Sequence, residues 1–204
     1  YWYASNDCLT GAVCGVTIGV SSIEKALPFY KNILGYDKQL FAGEGNFTDW
    51  QGVPGAQHTF KRVMMGHSRI LEGAFSKLLG PTSIELIEVT DRKSIKIFDN
   101  RYWGDLGFIH VCFDINGFKQ HEAICNQNGF PLTVDSSSSF DMGEAAGHFA
   151  YNEDPDGTLI EYVETHRVPI LKKIGWYLDL RKRDPQKPLP NWMVKSLGFS
   201  RVKS

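Results

Sequence analysis

The sequence predicts an α+β fold: two βαβββ modules over residues 14–90 and 105–165, followed by a basic helical arm over 166–204. Three observations carry this reading. The order strand, helix, strand, strand, strand runs twice along the chain. The two copies align, with Val16 matching Val111, Gly35-Tyr36 matching Gly129-Phe130, and Ile84-Glu85-Leu86 matching Ile160-Glu161-Tyr162. Each helix-patterned segment ends on a glycine, Gly35 in the first copy and Gly129 in the second, where a C′ residue needs positive φ. The repeat is long enough for each copy to be a module rather than one turn of a solenoid, and two sheets from two modules can close around a shared cavity.

In the first copy, Val16–Val20 reads as a strand and Ser21-Ser22 as a helix cap. Ile23, Ala26, Leu27, Tyr30 and Leu34 then recur at helical spacing. Glu24 sits in the first turn, where the helix dipole favours a carboxylate, and Pro28 predicts some distortion. Strands follow at 36–41, 59–65 and 83–89, separated by a polar, Gly-rich loop and an irregular insert. In the second copy 108–115 is a strand, 116–129 a helix, and 131–134, 148–152 and 158–163 are strands. The last two are joined by Asp154-Pro155-Asp156-Gly157, in which Pro presets φ and Gly accepts a positive one. In the arm, Ile170, Leu171, Ile174, Trp176, Tyr177, Leu178 and Leu180 read as a helix, followed by a Pro-rich link and an amphipathic end over Trp192–Leu197. Ten Lys or Arg lie between Arg167 and Lys203 against Asp179 and Asp184. The arm is read as docked on the surface through its aromatics, with an anionic membrane or a partner as the sharper alternative.

The chain of 204 residues is 42% hydrophobic and 13% aromatic, within the ordinary globular range, and its net charge of -1 gives no electrostatic case for nucleic acid. It has no apolar run of about 18 residues, so no membrane helix is expected. Cys8, Cys14, Cys112 and Cys125 lack CxxC spacing, so a reduced, cytoplasmic setting is the expectation. The start at Tyr1 rather than Met suggests a trimmed or processed chain, from which a targeting signal or further modules have been removed.

Alternation across a strand puts Ile109, Val111, Phe113 and Ile115 on one apolar face and His110, Cys112 and Asp114 on the other. Glu161 shares its face with Leu159 and Val163. A His and a Glu facing one cavity make half of a metal site.

The two-module layout, with HVCFDI opening the second copy and DPDGTLIEYVE closing it, resembles the vicinal-oxygen-chelate superfamily over residues 14–164. That superfamily includes glyoxalase I, extradiol dioxygenases, methylmalonyl-CoA epimerase and the fosfomycin and bleomycin resistance proteins. The resemblance implies a cupped, partly open eight-stranded sheet, with metal ligands drawn from the first and last strands of each module. Matched position by position, it implies Glu85, His110 and Glu161 as ligands of a divalent Fe, Mn, Zn, Ni or Co ion, with Glu161 also the catalytic base. The fourth ligand position falls at Gly15, and the glutathione-binding arginine of glyoxalase I falls at Gly19. Both departures read as space without chemistry.

The implied function is a metal-dependent glyoxalase-like lyase or isomerase acting on a small oxygenated substrate. Its rivals are a metal-free ligand-binding protein of the bleomycin-resistance kind and an extradiol-dioxygenase-like domain of a longer chain. Arg62, whose fork suits a carboxylate, His148 and Tyr102 are the candidate substrate contacts. His58 or His67 is a substitute ligand if its loop folds inward, His121 and His166 read as solvated, and Cys112 lacks a partnering base. A homodimer is implied by analogy, with no nucleic-acid or membrane partner.

Overall fold

Alternate apolar side chains on the first strand decide how the first module is layered. The computed structural model describes residues 13–136, 141–142, 145–171 and 174–196. In it β1 (Gly15–Gly19) turns Val16 and Ile18 toward α1 (Ile23–Asn32), which buries Ile23, Ala26, Phe29 and Tyr30 in return. Ser22 caps α1 by accepting the Lys25 N–H, and the helix continues past Pro28. Gly35 ends the turn beyond it at φ 74°, a left-handed conformation that costs a Cβ-bearing residue energy. β2 (Lys38–Gly45), β3 (Phe60–Gly66) and β4 (Ser83–Val89) complete a sheet of order β1-β4-β3-β2, with β1 parallel to β4. The insert before β4 contains the short α2 (Ser76–Leu79).

The second module repeats the plan. β5 (His110–Asp114) is followed by α3 (Phe118–Gln127), then β6 (Val134–Asp135), β7 (Asp141–Met142), β8 (Ala145–Glu153) and β9 (Leu159–Thr165). Its order is β5-β9-β8-β6, with β5 parallel to β9 and β7 paired to β8 off the main path. The eight strands of the two βαβββ units are thus hydrogen-bonded as two separate sheets.

What joins the modules is one apolar core between the helices and the sheet faces they cover. Ile18, Phe29, Tyr30, Ile84 and Leu86 belong to the same buried cluster as Phe118, Cys125, Ala150, Ile160 and Tyr162. Phe29 meets Phe130 edge to face at 4.9 Å. The Tyr30 hydroxyl donates to Asp154 Oδ2 at 2.7 Å, while Asp154 Oδ1 accepts the Asp156 and Thr158 N–H groups. The turn expected at Asp154–Gly157 therefore also ties the second module to α1.

The arm departs from expectation. The stretch predicted as a helix is a β hairpin, β10 (Arg167–Leu171) and β11 (Trp176–Asp179), with Gly175 at φ 66° between them. Pro169 cannot donate within a helix, and the dense apolar run suits a strand as well as a helix. Among the described residues of the arm, a 3₁₀ turn covers Leu180–Lys182 and α4 covers Asn191–Ser196; Leu197 lies outside the described residues. Val168, Leu180, Leu189, Met193 and Val194 form a second core with Ala74, Phe75 and Leu78 of the α2 insert. The Leu189 N–H donates to the Ala74 carbonyl at 2.9 Å. The arm is docked through apolar contact, as expected, but chiefly through aliphatic side chains. No described helix is long and apolar enough to cross a membrane.

Candidate functional site

Because Val111 and Phe113 pack toward the shared core, the pleat turns His110, Cys112 and Asp114 to the opposite face. Register does the rest. The parallel β5–β9 ladder sets Cys112 beside Glu161 and the antiparallel β8–β9 ladder sets Tyr151 beside Glu161. Three strands thus bring His110, Glu161 and Tyr151 together. His110 Nε2 lies 2.9 Å from Glu161 Oε2, and the Tyr151 hydroxyl donates to Glu161 Oε1 at 2.7 Å. Trp103 stacks over the His110 ring at 5.9 Å and stands edge-on to Tyr151. The His110 and Glu161 side chains keep 29% and 15% of their exposure, so the pair is reachable from solvent, whereas His110 Nδ1 is buried without a partner. Burial and then the Glu161 carboxylate hold the Tyr151 phenol above its ordinary pKa. Although Cys112 is exposed as a residue, the protein around its thiol and the neighbouring Glu161 push it up to about 12. That direction opposes a nucleophilic role, since the thiolate is the reactive form.

The first module has a different arrangement on the corresponding face. Arg62 and Glu85 are each 8% exposed. Arg62 meets Glu85 Oε1 through Nε at 2.8 Å and through Nη2 at 2.7 Å, and Thr17 Oγ1 donates to Glu85 Oε2 at 3.0 Å. Arg62 Nη1 reaches both oxygens of Asp49 at 2.9 Å. Asp49 lies in a 3₁₀ turn, Thr48–Trp50, whose flanking aromatics cover the guanidinium. The Trp50 and Phe47 ring centroids are 4.2 and 4.5 Å from its central carbon. Trp50 in turn sits edge-on to Phe60 at 4.8 Å. Burial works to lower the Arg62 pKa, but the bonds to Asp49 and Glu85 leave it above the ordinary arginine value.

The three-ligand set expected from the resemblance does not assemble. His110 and Glu161 meet, whereas Glu85 is ion-paired with Arg62 through one oxygen and accepts from Thr17 on the other. Among the described residues, no three His, Cys, Asp or Glu side chains form a metal-holding group. Gly15 is not open space either: a Cβ there would lie 2.6 Å from Ser83 Oγ and 2.7 Å from the Ser83 carbonyl oxygen. Gly19, by contrast, has nothing within 4 Å of such a Cβ, as the sequence suggested. As they stand, the described residues do not assemble a three-ligand metal centre.

Other candidates are elsewhere. His148 lies on the helix side of β8, stacked on Phe118 at 3.5 Å and paired with Asp135, because alternation gives the other face to Tyr151. Tyr102 is 84% exposed, and its neighbour Trp103 is the residue that walls His110. His58 pairs with Asp91 at 3.0 Å, and His67 bonds the Leu34 carbonyl at 3.2 Å beneath Tyr36, so neither supplies a ligand. His121 is not solvated: it packs on Tyr162 at 4.2 Å, and burial lowers its pKa. His166 is largely covered and sits 3.3 Å from Glu164. Tyr151 and Asp49 were not singled out from sequence. Tyr151 was only partly within reach: counting outward from the Asp154–Gly157 turn sets it opposite Ile160, one residue short of the observed pairing with Glu161. Asp49 carried no such signal.

No protein-family model and no curated protein sequence matches the chain. Solved structures do. A glyoxalase family protein from Bacillus cereus superposes with a TM-score of 0.57 at 18% identity, covering 79% of this chain and 99% of the other. A glyoxylase/bleomycin resistance protein/dioxygenase domain from Frankia sp. EAN1pec superposes at 0.52 and 18% identity, covering 78% and 99%. At this identity the likeness is one of fold.

Proposed function

Since the chain has the fold of the vicinal-oxygen-chelate superfamily, we propose that the face carrying His110, Glu161 and Tyr151 binds a small oxygenated molecule without a three-ligand metal centre. The observation that supports this reading is that Glu85 is ion-paired with the buried Arg62, while Glu161 is paired with a His110 that keeps 29% of its side-chain exposure. Glu161 is the acceptor for a ligand hydroxyl. His110 and Tyr151 steady its carboxylate from either side, and Trp103 offers a flat wall. With His110 beside it to share a proton, Glu161 is also the group to take a proton from carbon in an isomerase- or lyase-type reaction.

One observation favours a second reading, the metal-dependent lyase or isomerase. The 2.9 Å between His110 Nε2 and Glu161 Oε2 suits two ligands on one ion with bonds of about 2.1 Å. Fe, Mn, Zn, Ni or Co would then be held by two protein donors, and would polarise vicinal substrate oxygens.

Elemental mass spectrometry on untagged protein, paired with thermal-shift screening of diols, hydroxy-ketones and catechols, separates the two. The first reading expects substoichiometric metal that His110→Ala leaves unchanged, and a ligand that raises Tm in the wild type but not in Glu161→Gln. Near-stoichiometric metal that is lost in His110→Ala would replace it with the second.

A further inference from the structure

We propose that the Arg62 guanidinium is a carboxylate-binding site, and that Asp49 is its internal occupant, displaced when a ligand carrying a planar carboxylate enters. This goes beyond the reading of the His110–Glu161 face, because it concerns the first module and needs neither of those residues.

The two carboxylates on Arg62 are not equivalent. Glu85 is buried, on a central strand, and its second oxygen is held by Thr17. Asp49 keeps 60% of its side-chain exposure while Arg62 keeps 9%, so the arginine is fixed inside and Asp49 stands at the mouth. Asp49 is held by one nitrogen alone, Nη1, which reaches both of its oxygens at 2.9 Å, while Nε and Nη2 serve Glu85; Asp49 is thus the less firmly held of the two carboxylates, short of the two-nitrogen fork. Asp49 also sits in a 3₁₀ turn within a long connection between β2 and β3, not on a strand, so its release breaks no sheet ladder.

Charge supports exchange rather than simple addition. Arg62 with Glu85 is neutral overall, and Asp49 adds one negative charge at the mouth. An incoming carboxylate that takes its place leaves the local charge as it was. The Trp50 and Phe47 rings stacked on the guanidinium would lie alongside an aromatic or flat unsaturated body attached to that carboxylate. The ligand class is therefore an aryl or enoyl carboxylate. Tethered on the same chain, Asp49 competes at an effective concentration on the order of millimolar, which masks the site in the resting protein.

The test is isothermal titration of benzoate, with benzamide as the neutral control, against wild type, Asp49→Ala and Asp49→Asn. Both variants should bind benzoate at least about tenfold more tightly than wild type, and none should bind benzamide comparably. Adding Arg62→Lys to Asp49→Ala should abolish the gain, because lysine has one nitrogen and cannot hold Glu85 and a ligand on separate nitrogens as Arg62 does; a matching circular dichroism spectrum checks the fold. Using Asn beside Ala guards against a folding defect in either. Benzoate affinity equal in wild type and both Asp49 variants, equal response to benzamide, or a gain that survives Arg62→Lys would overturn the proposal.

Discussion

Tyr151 and Glu161 face each other across the β8–β9 ladder and are joined by a 2.7 Å hydrogen bond. The bond places a phenol on one oxygen of the carboxylate while His110 occupies the other. A carboxylate held on both sides is oriented before any ligand arrives, so less ordering is left for binding to accomplish.

Glu161→Gln should therefore be read through its neighbour as well as through ligand binding. Burial and the Glu161 charge together raise the Tyr151 phenol, and removal of the charge should bring its titration down toward the ordinary value of 10.0. Ultraviolet phenolate titration of Glu161→Gln, with Tyr151→Phe to assign the signal, measures this. An unmoved midpoint would show that the hydrogen bond does not persist in solution.

Arg62 and Glu85 should behave as a unit. Arg62→Met leaves a buried carboxylate without its cation and should destabilise the protein by about 3 kcal/mol or more. Adding Glu85→Gln should restore most of that loss. Urea denaturation of the single and double variants gives the coupling; simple additivity would argue that the pair contributes nothing to the native state.

Gly15 and Gly19 lie on the same face of one strand and should respond oppositely. Gly15→Ala forces a Cβ into the Ser83 carbonyl and hydroxyl and should cost about 1–3 kcal/mol. Gly19→Ala enters open space and should be neutral or stabilising by about 0.5 kcal/mol. For the same reason, Gly15→His should disturb packing rather than create a metal ligand. Thermal melts of the alanine pair decide the matter.

Asp154 gives stability a pH dependence of definite sign. Burial raises its carboxyl above the ordinary 3.8, outweighing the Tyr30 hydroxyl and the backbone N–H groups that lower it. The native state therefore holds this proton to higher pH than the unfolded chain. Its contribution is complete below the unfolded value and is lost as pH rises through the raised native one. Asp154→Asn should flatten that part of the profile, as urea melts from about pH 4 to about pH 7 would show. An identical slope in both proteins would place the titration elsewhere.

Much of the architecture was legible because it is local. The 3.6-residue spacing of Ile23, Ala26 and Tyr30, the glycines at 35 and 129, and the alternation of Val111 and Phe113 with His110 and Cys112 each report a backbone conformation within a few residues. The duplication then carries one module onto the other. The arm failed the same treatment: between Ile170 and Leu180 the apolar residues are too dense to distinguish the two periods, and Pro169 and Gly175 were the better guides.

The sequence by itself determined the module order and the strand faces, since strand alternation and helical spacing are set within a few residues; the meeting of His110 with Glu161 is made by the parallel β5–β9 ladder between strands distant in sequence. Only the tertiary structure decided that Glu85 belongs to Arg62, that Asp49 reaches the same guanidinium from a loop, that Gly15 is crowded by Ser83, and that His148 packs under Phe118. Each of these depends on which side chain a loop, a helix or a neighbouring strand brings within 3 to 4 Å. Carboxylates, guanidinium groups and rings choose partners by proximity and desolvation, and neither is written in the spacing of one segment.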